Sequence, residues 1–293
     1  MAGESAAAAL GLDRQRIRHL TGDSPQRSRV TIIGLGSGGF PVMEHLAMSG
    51  WRCFTLIDHD VLEDVNLVKH PAQRSDLGRL KVDVAAEWLA DRNPASEVTA
   101  LAADFLKLPA ADVDKIMAES DLVVSATDSQ EARNVINELC VRTSTPMTMG
   151  LVHRGGTGGT VMAYRPGQSG CYTCLQYIAD ALDGLPSDHD FPVTSEESEQ
   201  LYGRSVTSYG VAGLSADIAL IAAMLAQVTI KELLSIEEAA GTVLPSMEMT
   251  WIALQVRSTD GWEWRPTMID LPQIDSCPTC GLVPDDEAGP GQP

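Results

Sequence analysis

The stretch from Val30 to Asp60, VTIIGLGSGGFPVMEHLAMSGWRCFTLIDHD, constrains the fold of this chain more than any other. An apolar run, Val30 to Ile33, leads into a glycine loop with Gly34, Gly36 and Gly39. A helical pattern follows, and a second apolar run, Phe54 to Ile57, stops on Asp58. The order is strand, tight turn, helix and strand, with an acid about 20 residues past the last glycine, as in a nucleotide-binding βαβ unit. Gly34 permits the turn, Gly36 lets the backbone approach a phosphate, and Gly39 lets the helix lie close to the strand. The helix N-terminus offers free N–H groups and a partial positive charge, and Asp58 is placed to accept from ribose hydroxyls. The competing reading is a glycine turn that serves packing alone.

Beyond this unit, the polar stretch from Val61 carries Asn66, Lys69 and His70. It becomes helical near Gly78, with Val84, Trp88 and Leu89 at helical spacing and Asn93-Pro94 as the stop. Glu97 to Ala102 alternates as a strand, and Asp112 to Glu119 makes a second helix. Asp121 to Thr127, DLVVSAT, reads as a short buried strand with Asp128 at its carboxyl end. Open α/β sheets place their ligand chemistry at such strand ends, which makes Asp128 a candidate site residue. Its competing role is to cap the next helix, Ser129 to Val141.

Thr145 to Leu151 and Gly159 to Tyr164 are strands separated only by the turn HRGGTGG. Without a helix between them, the sheet is expected to turn antiparallel here. A long helix, Val211 to Leu234, is apolar nearly all round and is expected to be buried against the sheet or a second subunit. Its most apolar part, Ile218 to Ile230, is too short to span a bilayer. Met247 to Arg257 and Trp262 to Ile269 form a strand pair joined through Thr259, Asp260 and Gly261. Trp262 and Trp264 fall on one face of it and are expected to pack in the core, with a recognition role as the minor reading.

Cys171 and Cys174 occur as CYTC, and Cys277 and Cys280 as CPTC. Two CxxC pairs supply four thiolates, the ligand set of tetrahedral zinc, while paired redox thiols are the minor reading. The fold rather than a local ribbon has to bring the pairs together. A site closed by four thiolates leaves no open position for catalysis, so the metal would hold the C-terminal segment against the body. Cys53 and Cys140 read as buried small hydrophobes.

The 40 acids outnumber the 21 bases, for a net charge of −19, which repels phosphate backbones and anionic membranes. Nucleic acid and membrane are therefore not expected partners. MAGESAAAAL has no basic residue before its alanine run, unlike a secretory signal, and a cytoplasmic protein with reduced cysteines is expected. Residues 1–12 are expected to be disordered, 13–281 to form one domain with a crossing loop at about 180–208, and 282–293 to be a loose tail. The fold class is α/β, a Rossmann-like, mostly parallel sheet continuing into an antiparallel part and carrying a four-cysteine zinc site.

Five motifs in order, GLGSGG at Gly34–Gly39, DHDVLEDVNL at Asp58–Leu67, LGRLKV at Leu77–Val82, SATDS at Ser125–Ser129 and the paired CxxC motifs, resemble the ubiquitin-activating-enzyme-like superfamily. These are the ThiF/MoeB/HesA adenylyltransferases, and the resemblance runs from about Arg14 to Cys280. It implies that Gly36 and its neighbours Gly34, Ser37, Gly38 and Gly39 lie against the phosphates of ATP. It places Asp58 on the ribose with Asp60 in the same motif, Lys81 on the phosphates, and Asp128 on the Mg²⁺ needed for attack at the α-phosphate. Asn66 falls on the family's asparagine near the phosphates. Lys69 stands where the family usually has arginine, keeping the charge but not the planar fork. Arg14-Gln15 resembles the N-terminal element whose arginine reaches the ATP of the other subunit in homodimeric members.

The implied reaction is adenylation of a C-terminal carboxylate, typically the Gly-Gly end of a ubiquitin-like or sulfur-carrier protein, giving acyl-AMP and pyrophosphate. Asp180 to Ser208 contains no cysteine, so no crossing-loop thioester is expected. The alternatives are a catalytically silent docking protein for a ubiquitin-like partner, adenylation of a small peptide or acid, and, more remotely, an NAD-dependent oxidoreductase. The last leaves Lys81, the turn at Asp128 and the four cysteines without a role.

Overall fold

The computed structural model describes residues 17–181, 213–245, 247–258 and 261–281. The first described element is a four-residue helix α1 (Arg18–Thr21), followed by β1 (Arg29–Ile33), α2 (Gly39–Met48) and β2 (Cys53–Ile57). There follow α3 (Lys81–Arg92), β3 (Glu97–Leu101), α4 (Ala110–Glu119), β4 (Leu122–Ser125), α5 (Gln130–Thr143) and β5 (Met147–Val152). The remaining elements are β6 (Gly158–Tyr164), α6 (Tyr172–Ala181), α7 (Ser215–Ile236), β7 (Trp251–Ser258) and β8 (Gly261–Ile269).

The eight strands among the described residues form one sheet in the order β3-β2-β1-β4-β5-β6-β7-β8. Pairing is parallel from β3 to β5 and antiparallel from β5 to β8, with Met147 opposite Tyr164 at the change of direction. The chain runs outward from β1 to β3 on one side and from β4 onward on the other. The junction of β1 and β4 is thus a topological switch point, with a crevice beyond the strands' carboxyl ends.

The side-chain alternation of the central strands sorts residues to two cores. Ile32 of β1 joins Phe40, Leu46, Leu89, Ile221 and Leu225 on the face covered by α2, α3 and α7. Ile33 joins Val113, Ile116, Ile136 and Met147 on the face covered by α4, α5 and α6. Both faces being covered explains why β1, β2 and β4 read as continuous apolar runs. Helix α7 has the length and apolar character of a membrane span, longer than its most apolar stretch suggests, yet it packs on β5, β6 and α2 as a core helix.

One expectation is overturned. Trp262 and Trp264 are 67% and 57% exposed on β8, the outermost strand, and stack on each other at 6.5 Å with 15° between their planes. No layer covers that end of the sheet among the described residues, so a shared face did not become a buried face. Arg14, most of the crossing loop and the C-terminal tail lie outside the described residues.

Candidate active site

The crevice at the switch point holds a cavity of about 430 Å³. Its walls are the loops after the parallel strands: Gly34, Gly36, Ser37 and Gly38 after β1, Asp58 to Asp60 after β2, Ala103 to Leu106 after β3, and Ala126 to Ser129 after β4. Lys69 and Lys81 enter from the segment between β2 and α3, and Ile221 and Leu225 of α7 close the far side.

The glycines divide their work. Gly34 has φ +93°, and a Cβ there would meet the Ala126 carbonyl oxygen at 2.7 Å, so the turn from β1 to α2, packed against the loop after β4, requires glycine. A Cβ on Gly39 would lie 1.9 Å from the Gly34 carbonyl oxygen; that position seats α2 on the turn and is not part of the cavity wall. In front of Gly36 and Gly38 nothing lies within 4 Å of a built Cβ. That open space borders the start of α2, where backbone N–H groups and the helix dipole favour an anion.

Asp58 is buried at the end of β2. The Leu35 N–H donates to its Oδ2 at 2.6 Å and the Asp60 N–H to its Oδ1 at 2.8 Å. Each carboxylate oxygen still has acceptor capacity, and these bonds fix where Asp58 points. Lys81 opens α3 with its side chain 8% exposed, and its Nζ donates to Asp60 Oδ2 at 2.7 Å. A cation at a helix N-terminus opposes the dipole. Asp60 offsets that cost and holds the ammonium at the cavity. Burial lowers the pKa of Lys69, the nearby Asp128 carboxylate opposes that shift, and Lys81 adds to it. Lys69, Lys81 and Asp128 therefore gather on the same cavity.

The capping alternative for Asp128 fails. Ser129 is the N-cap of α5, its Oγ accepting from the Ala132 N–H at 3.2 Å, and Asp128 is exposed on the cavity wall. Asn66 lies off the wall. Its Oδ1 accepts from the Glu63 N–H at 2.9 Å, and its carbonyl accepts from the N–H groups of Lys69 and His70. It thus shapes the turn that delivers Lys69. The sequence names His70 without a role and passes over Arg133. Arg133 of α5 lines the cavity and donates through Nε to the Thr127 carbonyl at 3.1 Å, bracing the turn that carries Asp128. No spacing rule marks the role of either, since both act on backbone carbonyls remote in sequence or hidden in a turn.

The four sulfurs of Cys171, Cys174, Cys277 and Cys280 lie within 4.8 Å of one another, with Cys171–Cys277 at 3.8 Å and Cys174–Cys280 at 3.4 Å. Tetrahedral zinc with Zn–S of about 2.3 Å spaces sulfurs by about 3.8 Å, so the cluster fits that ion. The Asn137 amide donates to Cys171 Sγ at 3.7 Å and the Ile274 N–H to Cys174 Sγ at 3.5 Å, both suited to thiolate charge. Cys53 and Cys140 are buried, and burial raises the pKa of both thiols, which keeps them unreactive.

A doubly wound sheet with a glycine turn, two lysines and a strand-end carboxylate at its switch point belongs to the open α/β class, which places ligands in this crevice. Its particular kind follows from comparison: the profile of the ThiF family matches residues 13–261, and the chain belongs to that family. It is 34% identical over 152 residues to the molybdopterin-synthase adenylyltransferase of Escherichia coli, covering 52% of this chain and 59% of that protein. It is also 34% identical over 151 residues to the E. coli sulfur carrier protein ThiS adenylyltransferase, covering 50% and 58%. The chain thus spans somewhat over half the length of these relatives. Among solved structures it resembles the microcin C7 biosynthetic enzyme MccB in complex with N-formylated MccA. The TM-score is 0.66 at 25% identity, covering 89% of this chain and 70% of that one.

Proposed function

We propose that the protein is an ATP-dependent adenylyltransferase acting on the C-terminal carboxylate of a ubiquitin-like or sulfur-carrier protein. The observation that carries this reading is the convergence of open glycine backbone, Lys69, Lys81 and Asp128 on one crevice. The phosphates would lie along Gly36 to Gly38 at the start of α2, with the ribose toward Asp58 and the base toward Ala103 to Leu106. A carboxylate oxygen of the carrier attacks the α-phosphorus as the bond to the bridging oxygen breaks, and pyrophosphate leaves with the electron pair. No proton has to move. The barrier is anion meeting anion, so fixed cations and positioning carry the rate.

Asp128 is the carboxylate best placed to hold Mg²⁺, because Asp58 is engaged by two backbone N–H groups and Asp60 by Lys81. When bound, that ion neutralises phosphate charge along the path of attack. Zinc on the four cysteines would pin the segment after β8 to the start of α6. In a homodimer, Arg14 would come from the neighbouring subunit, and the protein would act in the cytoplasm.

A peptide carboxylate is the second reading, favoured by the likeness in fold to MccB, which was solved with the peptide MccA. The test is ATP–pyrophosphate exchange with Mg²⁺, with candidate carriers ending in Gly-Gly and short peptides added one at a time. Exchange dependent on one carrier and lost in Asp128→Ala supports the proposal. Exchange dependent on a peptide moves the substrate to the second reading, and none with any acid refutes adenylation.

A further inference from the structure

His70 is 6% exposed and sits where three parts of the site meet. Its Nε2 is 2.9 Å from the Leu35 carbonyl in the glycine loop, its Nδ1 accepts from the Ala72 N–H at 3.1 Å, and its ring meets that of Phe40 in the first turn of α2 edge-on at 5.1 Å. An Nδ1 that accepts leaves the proton on Nε2, which then donates to Leu35, so both ring nitrogens are satisfied only in one neutral tautomer. The adjacent residue is Lys69, whose ammonium enters the cavity. Leu35 also donates its N–H to Asp58, so one residue of the glycine loop is held from both sides.

We propose that His70 is a positioning residue that locks the Lys69 turn to the glycine loop, fixing the ammonium over the site of the nucleotide's phosphates. The inference rests on the nucleotide reading of the cavity. Protonating Nδ1 would turn an acceptor into a donor facing the Ala72 N–H and open the lock. The charged groups around the ring are Lys81 at the start of α3, Asp58 at the end of β2 and Asp76 in the turn before α3; burial and Lys81 favour the neutral form, and the bond to the Leu35 carbonyl and the two carboxylates oppose it without reversing the shift. Glutamine can reproduce one donor and one acceptor at this site; alanine can reproduce neither.

The test is a double-mutant cycle on the full chain: wild type, His70→Ala, Lys69→Met and the double variant, with His70→Gln beside them, each assayed calorimetrically for ATP and for adenosine and melted for stability. His70→Ala should weaken ATP about tenfold and leave adenosine unchanged. In the Lys69→Met background the same change should cost about twofold or less, and His70→Gln should recover most of the ATP affinity. Additive losses, or adenosine weakened in step with ATP, would overturn the positioning role; if His70→Ala does not fold, failure of His70→Gln to bind ATP like wild type decides against it. Wild type that binds neither ligand defeats the nucleotide reading itself, and this inference with it.

Discussion

Gly39 and Gly36 stand three residues apart in one loop, yet substituting them should damage different properties. In Gly39→Ala the added Cβ would lie 1.9 Å from the Gly34 carbonyl oxygen and 3.0 Å from the Ala126 Cβ. Restoring a contact near 3.5 Å needs a displacement of about 1.6 Å. The oxygen belongs to a turn held by Gly34 N–H to Ile57 O and Ala126 N–H to Ile33 O, so α2 or the turn must give. Overpacking of this kind costs about 1–3 kcal/mol, and rigid backbone on both sides places Gly39→Ala at about 3. For a chain of this size that is a fall in Tm of about 6–12 °C. In Gly36→Ala the methyl enters open space, so Tm should stay within about 2 °C, while ATP binding falls by about tenfold or more because the methyl occupies the approach to the backbone. Calorimetric melts and ATP titrations on both variants separate the effects. Equal Tm losses, or a Gly36→Ala protein that binds ATP like wild type, would refute the division of labour.

Lys69 lines the cavity beside Asp128 and Lys81, so Lys69→Met should weaken ATP about tenfold in a calorimetric titration; unchanged affinity would contradict this. Burial holds the folded-state pKa of His70 below its unfolded value near 6.5, so the unfolded chain binds the extra proton first and stability falls as pH drops from about 6.5 through the folded value. Chemical denaturation from pH 7.5 to 5 should show this loss, and His70→Gln should flatten it. Cys277→Ser should release bound zinc, measured by elemental analysis at close to one ion per chain in wild type, and cost about 2 kcal/mol or more of stability. Trp262→Ala with Trp264→Ala should change stability by less than about 1 kcal/mol, since both rings are exposed; a loss above about 3 would restore the buried reading.

The parallel half of the sheet was legible because strands covered on both faces are written as apolar runs, and the β1-α2-β2 unit carries its own punctuation in Gly34, Gly39 and Asp58. The change to antiparallel pairing was legible from the lack of a helix between Leu151 and Gly159. The tryptophans were misread for a tertiary reason: a period of two says which residues share a face, while only strand order says that β8 is outermost. Asp128 and Ser129 are adjacent capping types, and only geometry decided that Ser129 caps. Arg133 went unread, and His70 was read without a role, because their partners are the carbonyls of Thr127 and Leu35, which every residue type supplies. Asn66 stood out as a polar loop residue, yet its side chain is used inside its own turn.

Transfer of AMP to a carboxylate in the crevice has a direct test. Wild-type protein, Mg²⁺, α-labelled ATP and the carrier identified by exchange should yield labelled carrier–AMP and pyrophosphate in equal amounts, with both absent in Asp128→Ala. Label that remains in ADP, with phosphate rather than pyrophosphate released, would rule out adenylation.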